Sequence, residues 1–94
     1  MSLLDGKTAV VTGSGRGIGE AIARTLAEHG AKVIITDIDE SSARSVADDI
    51  RGKGFEAAPM KFNVADFANV KGEVAKMKAI FGRIDIWVNN AGIT

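Results

Sequence analysis

Cysteine and tyrosine are absent from the 94 residues, and proline, tryptophan and histidine each occur once. Without cysteine there is no disulfide and no thiolate metal site, a composition that fits a reducing cytoplasm. A surplus of one charge is also missing: 12 basic residues balance 12 acidic ones, for a formal net charge of +0 at pH 7. With no Lys/Arg-rich run either, the sequence lacks the electrostatic footprint of a nucleic-acid or anionic-membrane binder. No apolar run approaches the length of a membrane span, and the N-terminus carries no basic segment followed by an apolar one, so neither a span nor an export signal is visible. Repeats, low-complexity tracts and linkers are lacking, and residues 1–94 are expected to form one unit. At 46% hydrophobic and 26% charged, the chain is of the kind that folds. Its core has little margin, because a chain of this size buries only roughly 60–70% of the surface that its unfolded form exposes.

Glycine is plentiful, and five glycines fall between Thr8 and Gly30 (TAVVTGSGRGIGEAIARTLAEHG). Four of them, Gly13, Gly15, Gly17 and Gly19, stand where an apolar, β-branched run, Lys7 to Thr12, gives way to a helical pattern beginning at Gly17. The continuous apolar run suits a strand of a parallel sheet covered on both faces. In the helix, Ile18, Ala21, Ile22, Thr25, Leu26 and His29 recur at three- and four-residue steps and form the expected inward stripe, with Gly30 as C-terminal cap. Lys32 to Thr36 reads as a second buried strand ending at Asp37. Asp39 is then placed to cap a helix with Ala43, Val46, Ala47 and Ile50 inward, ended by Gly52 and Gly54. Phe55 to Asn63 is a third strand, and Pro59, which has no ladder donor, assigns it to a sheet edge. Asp66 is the expected cap of a helix carrying Phe67, Val70, Val74, Met77 and Phe81 and closed by Gly82, before a last strand, Ile84 to Asn89.

Strands alternating with helices through short joins argue for right-handed crossovers in a parallel sheet. The predicted fold is a Rossmann-type α/β three-layer sandwich with strand order 3-2-1-4, one half of a doubly wound sheet with an open edge at strand four.

The glycines do not follow the usual dinucleotide fingerprint, because the sixth position counted from Gly13 is Ile18. They fit a longer turn: Thr12-Gly13, then Ser14, Gly15 and Arg16, then Gly17-Ile18-Gly19. In this spacing Gly13 turns the chain, Gly17 lets the backbone come close to a pyrophosphate, and Gly19 lets the helix pack closely on the strands. Free amides and the positive helix end would hold the anion. A glycine-rich turn can also join strand to helix and bind nothing, and two other features weigh against that. Asp37 follows Gly19 by 18 residues, at a strand end where its carboxylate can accept from both hydroxyls of an adenosine ribose. It would repel a 2′-phosphate and so favours NAD over NADP, whereas Arg16 in the loop would attract that phosphate. Asp37 carries more weight because it is expected to face the ribose directly. The second feature is Asn89-Asn90-Ala91-Gly92, which ends strand four beside the glycine loop, at the topological switch point.

TGSGRGIG, Asp37 after strand two and NNAG after IDIWV together resemble the short-chain dehydrogenase/reductase family, with all elements in register from about Lys7 onward. The 3-oxoacyl-carrier-protein reductases and similar alcohol or sugar dehydrogenases are the members the sequence is most like. The resemblance implies that the backbone of Ser14, Gly15, Arg16, Gly17 and Ile18 holds the pyrophosphate and adenosine ribose. It places Asp37 on the ribose hydroxyls and Asn63-Val64 at the adenine, where the family usually has Asp in place of Asn63. It puts Asn90, Ala91 and Gly92 along the ribose, with Thr12 bonding across to them. It also implies a catalytic Ser, Tyr and Lys, the last two in a Tyr-x-x-x-Lys spacing well beyond NNAG. The sequence has no tyrosine and stops at Thr94, so the expectation is the cofactor-binding portion of an oxidoreductase, truncated relative to the family and without turnover of its own. A non-enzymatic nucleotide-binding module and a self-assembling structural module are the alternatives. The open edge of strand four and the sheet face covered only by the third helix are the surfaces through which a homo-oligomer would form. No metal site is expected: the lone His29 suits a helix C-terminus, and Asp48-Asp49 reads as a solvated helix face.

Overall fold

A computed structural model describes residues 3–63 and 69–90. The elements run β1 (Thr8–Val11), α1 (Gly17–Glu28), β2 (Lys32–Asp37), α2 (Glu40–Gly52), β3 (Ala57–Lys61), α3 (Val70–Phe81) and β4 (Ile86–Val88). All strand pairings are parallel, with Val10 opposite Ile34 and Trp87, and Ile34 opposite Ala58. The order is β3-β2-β1-β4, as the alternation and Pro59 imply, and Pro59 lies on the outermost strand.

The pleat divides the strand residues between two cores. Ala9, Val11, Val33, Ile35 and Ala57 face one way and pack with α1 and α2. Val10 and Ile34 face the other way, where Phe62 and Met77 join them under α3. The result is the expected three layers. In α2 the inward set is Ala43, Val46, Ala47 and Ile50, as the periodicity predicts, and the Asp39 carboxylate caps the helix by accepting from the Ser41 amide. Gly82 closes α3 with a left-handed φ of 85°.

The inward stripe expected for α1 holds only in part, through Ile22 and Leu26. Its buried residues are Gly19, Ala23 and Ala27. Ile22 and Leu26 pack partly against them, Ala21, Thr25 and His29 face solvent, and Ile18 is 71% exposed. Bulk misled the reading: a helix pressed closely onto a sheet buries its smallest residues at the line of contact and leaves larger ones at the flanks. The strands are also shorter than their apolar runs. Lys7 and Thr12 lie outside β1, β3 covers only part of Phe55 to Asn63, and β4 only part of Ile84 to Asn89. Asn69 precedes the described helix α3, and Asp66 and Phe67, the expected cap and first apolar residue, fall outside the described residues. Trp87 lies on the α3 side of the sheet, in register with Val10 and edge-to-face with Phe62 at 6.1 Å between ring centroids.

Candidate functional site

Because the strands are parallel, the ends of β1, β2 and β4 meet at one edge of the sheet, and the turn from β1 into α1 is built there from backbone hydrogen bonds. The Thr12 amide donates to the Val88 carbonyl at 3.0 Å, and the Ser14 amide donates to the Thr36 carbonyl at 2.7 Å. The Ser14 hydroxyl is fully buried; it accepts from the Thr36 amide at 3.0 Å and donates to the Val11 carbonyl at 2.6 Å. Ser14 therefore ties the turn to β2, and its amide is already committed within the fold.

The turn needs glycine at specific points. Gly13 and Gly17 have φ of 64° and 60°, in the left-handed region that disfavours side chains. A Cβ on Gly17 would meet nothing within 4 Å, so the space beside it is open. Gly15 and Gly19 differ, being closely packed. A Cβ on Gly15 would lie 2.9 Å from Asp37 Oδ2 and 2.9 Å from Ser42 Cβ. A Cβ on Gly19 would overlap the Gly13 carbonyl oxygen and lie 2.6 Å from Asn90 Nδ2. The first intrahelical bond of α1 runs from the Glu20 amide to the Arg16 carbonyl, and no side chain caps the helix. The amides of Gly17, Ile18 and Gly19 thus have no intrahelical acceptor, at the positive end of the helix dipole and beside the open space at Gly17.

Asp37 faces this turn. Its Oδ2 accepts from the Gly15 amide at 3.2 Å, and its Oδ1 accepts from the Asp39 amide and from Arg16 Nη2, each at 3.1 Å. The residue is 5% exposed. Burial pushes its carboxyl upward, but the Asp39 amide, the Arg16 guanidinium and the Gly15 amide outweigh that and hold it below the ordinary carboxylate range. Asn90 closes the other side: its amide donates to Thr12 Oγ1 at 2.9 Å, and its Nδ2 donates to the Gly13 carbonyl at 3.4 Å. Gly13 to Gly19, Asp37 and Asn90 are therefore brought together. Asn63 is placed past the end of β3, two strands from β1, where it lines a separate hollow of about 180 Å³ with Lys61, Phe62, Asn69 and Glu73. Val64, Ala91 and Gly92 lie outside the described residues.

Sequence reasoning missed three features here. Thr36 and Ser14 form a reciprocal clasp, Gly15 is closely enclosed, though less so than Gly19, and Arg16 is paired with Asp37 and not held apart from it. Opposite charges assigned to the same ribose were the available signal for the last. Among the described residues there is no group of three or more His, Cys, Asp or Glu placed to hold a metal ion, and no helix long and apolar enough to cross a membrane.

Comparison with known proteins agrees with this fold. The family model for short chain dehydrogenases matches residues 7–94. The oxidoreductase UcpA of Salmonella typhimurium is 48% identical over 93 residues, and the 3-oxoacyl-(acyl-carrier-protein) reductase FabG of Escherichia coli is 49% identical over 92. The matches cover 99% and 96% of this chain but only 35% and 36% of those proteins, so the chain spans about a third of the length of these relatives. Among solved structures, a hydroxysteroid dehydrogenase from Escherichia coli superposes with a TM-score of 0.87 at 36% identity, over 92% of this chain and 37% of its own. A 7α-hydroxysteroid dehydrogenase complexed with NADH and 7-oxo glycochenodeoxycholic acid superposes with a TM-score of 0.88, also at 36% identity, over 92% of this chain and 34% of its own. With the family match running from the first strand to the last residue, and the fold and the turn agreeing with it, the chain belongs to the short-chain dehydrogenase family.

Proposed function

We propose that residues 1–94 are the dinucleotide-binding portion of an NAD(P)-dependent oxidoreductase, a single cytoplasmic domain that holds the adenosine and pyrophosphate half of the cofactor and carries out no turnover alone. The observation that carries this reading is the row of uncapped amides at Gly17, Ile18 and Gly19, beside open space and next to a buried carboxylate. Such a row binds an anion, and a carboxylate beside it accepts from a ribose diol. The residues present therefore fit a nicotinamide dinucleotide, which when bound supplies hydride transfer between its ring and an alcohol or ketone. NAD is favoured over NADP because the carboxylate of Asp37 opposes a 2′-phosphate. The free amides of Gly17, Ile18 and Gly19 would orient the pyrophosphate. Asn63 with Val64 would meet the adenine, and Asn90, Ala91 and Gly92 would flank the ribose.

The expected absence of turnover rests on the family resemblance, which implies a tyrosine for proton transfer to the substrate oxygen, and on a sequence that has none. Calorimetric titration with NAD tests the binding. The chain should bind saturably and Gly17→Ala should not, because the added methyl disfavours the left-handed backbone and stands in the open space. Equal binding by both, or NAD-dependent turnover of an alcohol and ketone panel above background, contradicts the reading.

Self-assembly is a second property supported by a specific observation. Among the described residues β4 pairs on one side only, and it carries Trp87 at 38% exposure. An exposed strand edge with an aromatic beside it is a template for pairing with another copy. Light scattering should show mass rising with concentration; a constant monomer mass removes this reading.

A further inference from the structure

Asp37 can serve a ribose only if its carboxylate can be reached, and in the free chain it cannot. Its side chain is 6% exposed, while that of Arg16, with Nη2 3.1 Å from Oδ1, is 67% exposed. The guanidinium thus lies on the solvent side of the carboxylate. The lone pairs are also largely committed: Oδ2 holds the Gly15 amide, and Oδ1 holds both the Asp39 amide and Arg16. A carboxylate has about four acceptor positions, so one remains, and a diol needs two. The two amides are fixed by the turn and by the start of α2. Arg16 is the partner that can leave, because its side chain is long and largely in water.

We propose that Arg16 is an internal latch on Asp37, competing with the adenosine ribose for Oδ1 and releasing it when a dinucleotide with a free 2′-hydroxyl enters. The proposal rests on the dinucleotide reading above and adds to it a specificity-setting residue. It makes the affinity for NAD lower than the seat alone would give, by the strength of one partly exposed ion pair. The guanidinium displaced from Asp37 returns to solvent, so no bond other than hydrogen bonds is exchanged.

The test is calorimetric titration of wild type, Arg16→Gln and Arg16→Lys with NAD and with its analogue lacking the 2′-hydroxyl of the adenosine ribose. At low salt Arg16→Gln should bind NAD roughly two- to fivefold more tightly than wild type, the range set by exposed ion pairs. Arg16→Lys, which keeps a cation within reach, should stay near wild type. The gain should vanish with the 2′-deoxy analogue, and it should narrow as added salt screens the wild-type pair. An unchanged or weaker NAD affinity in Arg16→Gln, or an equal gain for both ligands, overturns the latch while leaving the dinucleotide reading intact. Failure of wild type and Arg16→Gln alike to bind NAD overturns both.

Discussion

Replacing Gly19 by alanine adds one methyl group at the most crowded point of the turn. Its Cβ would overlap the Gly13 carbonyl oxygen, 2.9 Å from that carbonyl's carbon and 2.6 Å from Asn90 Nδ2. Real Cβ contacts stay beyond 3.0 Å, so the Asn90 amide has to retreat by about 0.4 Å and the Gly13 carbonyl by more. The Gly13 carbonyl is backbone, fixed between β1 and the Asn90 side chain, so it gives poorly. Overpacking of this kind costs about 1–3 kcal/mol. The clash is with backbone, which puts it in the upper part of that range; alanine recovers about 0.4–1 kcal/mol through the lower entropy of the unfolded chain, leaving a net loss of about 1–2.5 kcal/mol. For a domain of this size that lowers Tm by about 5–15 °C. Gly72→Ala is the internal control. Gly72 lies within α3, and a Cβ there meets nothing within 4 Å. The same substitution should stabilise there by about 0.5–1 kcal/mol, and Tm should rise by a few degrees. Thermal melts followed by circular dichroism read both. Gly19→Ala melting at or above wild type would refute the claim that the helix and the turn touch at this residue.

Thr12→Val keeps the shape of a fully buried side chain but removes the acceptor of the Asn90 amide, 2.9 Å away. A loss of about 0.5–1.5 kcal/mol is expected in urea denaturation, the net worth of a part-buried hydrogen bond, and an unchanged midpoint would contradict it. Asp37→Asn tests the electrostatics through pH. The Asp37 carboxyl is lowered in the folded chain, so its ionised contribution is fully present above the unfolded value near ~3.9 and is lost as pH falls through the lower folded value. The stability gap between wild type and Asp37→Asn should be flat from about pH 7 to 5 and shrink below about pH 4. A gap that widens in acid would mean that the carboxyl is raised instead.

Much of the architecture was legible because its signals are local. Pro59 marks an edge strand, Asp39 caps a helix, and Ala43, Val46, Ala47 and Ile50 keep strict helical spacing, so β3 and α2 follow from nearest neighbours. The buried face of α1 was not legible in this way. The hydrophobic pattern ranks Ile18 and Leu26 above Ala23 and Ala27, whereas distance to the sheet ranks them the other way. That distance is set by Gly19 meeting Gly13, a contact between residues whose spacing carries no periodic signal. The closeness of the glycine turn to Asp37 and Asn90 was legible, because all three stand at the same ends of neighbouring parallel strands. The pairing of Arg16 with Asp37 was not, because the two residues are 21 positions apart and only the parallel register of β1 and β2 brings them together.

The claim on which the account turns is that the uncapped amides at the start of α1 receive the pyrophosphate of a dinucleotide. Titrating NAD into the ¹⁵N-labelled chain and following each amide resonance tests it directly. The account predicts saturable shifts that are largest at Gly17, Ile18 and Gly19, with smaller ones at Gly15. Saturable binding that leaves these amides unmoved and shifts residues at the opposite end of the sheet, around Glu28 and Phe55, would contradict it.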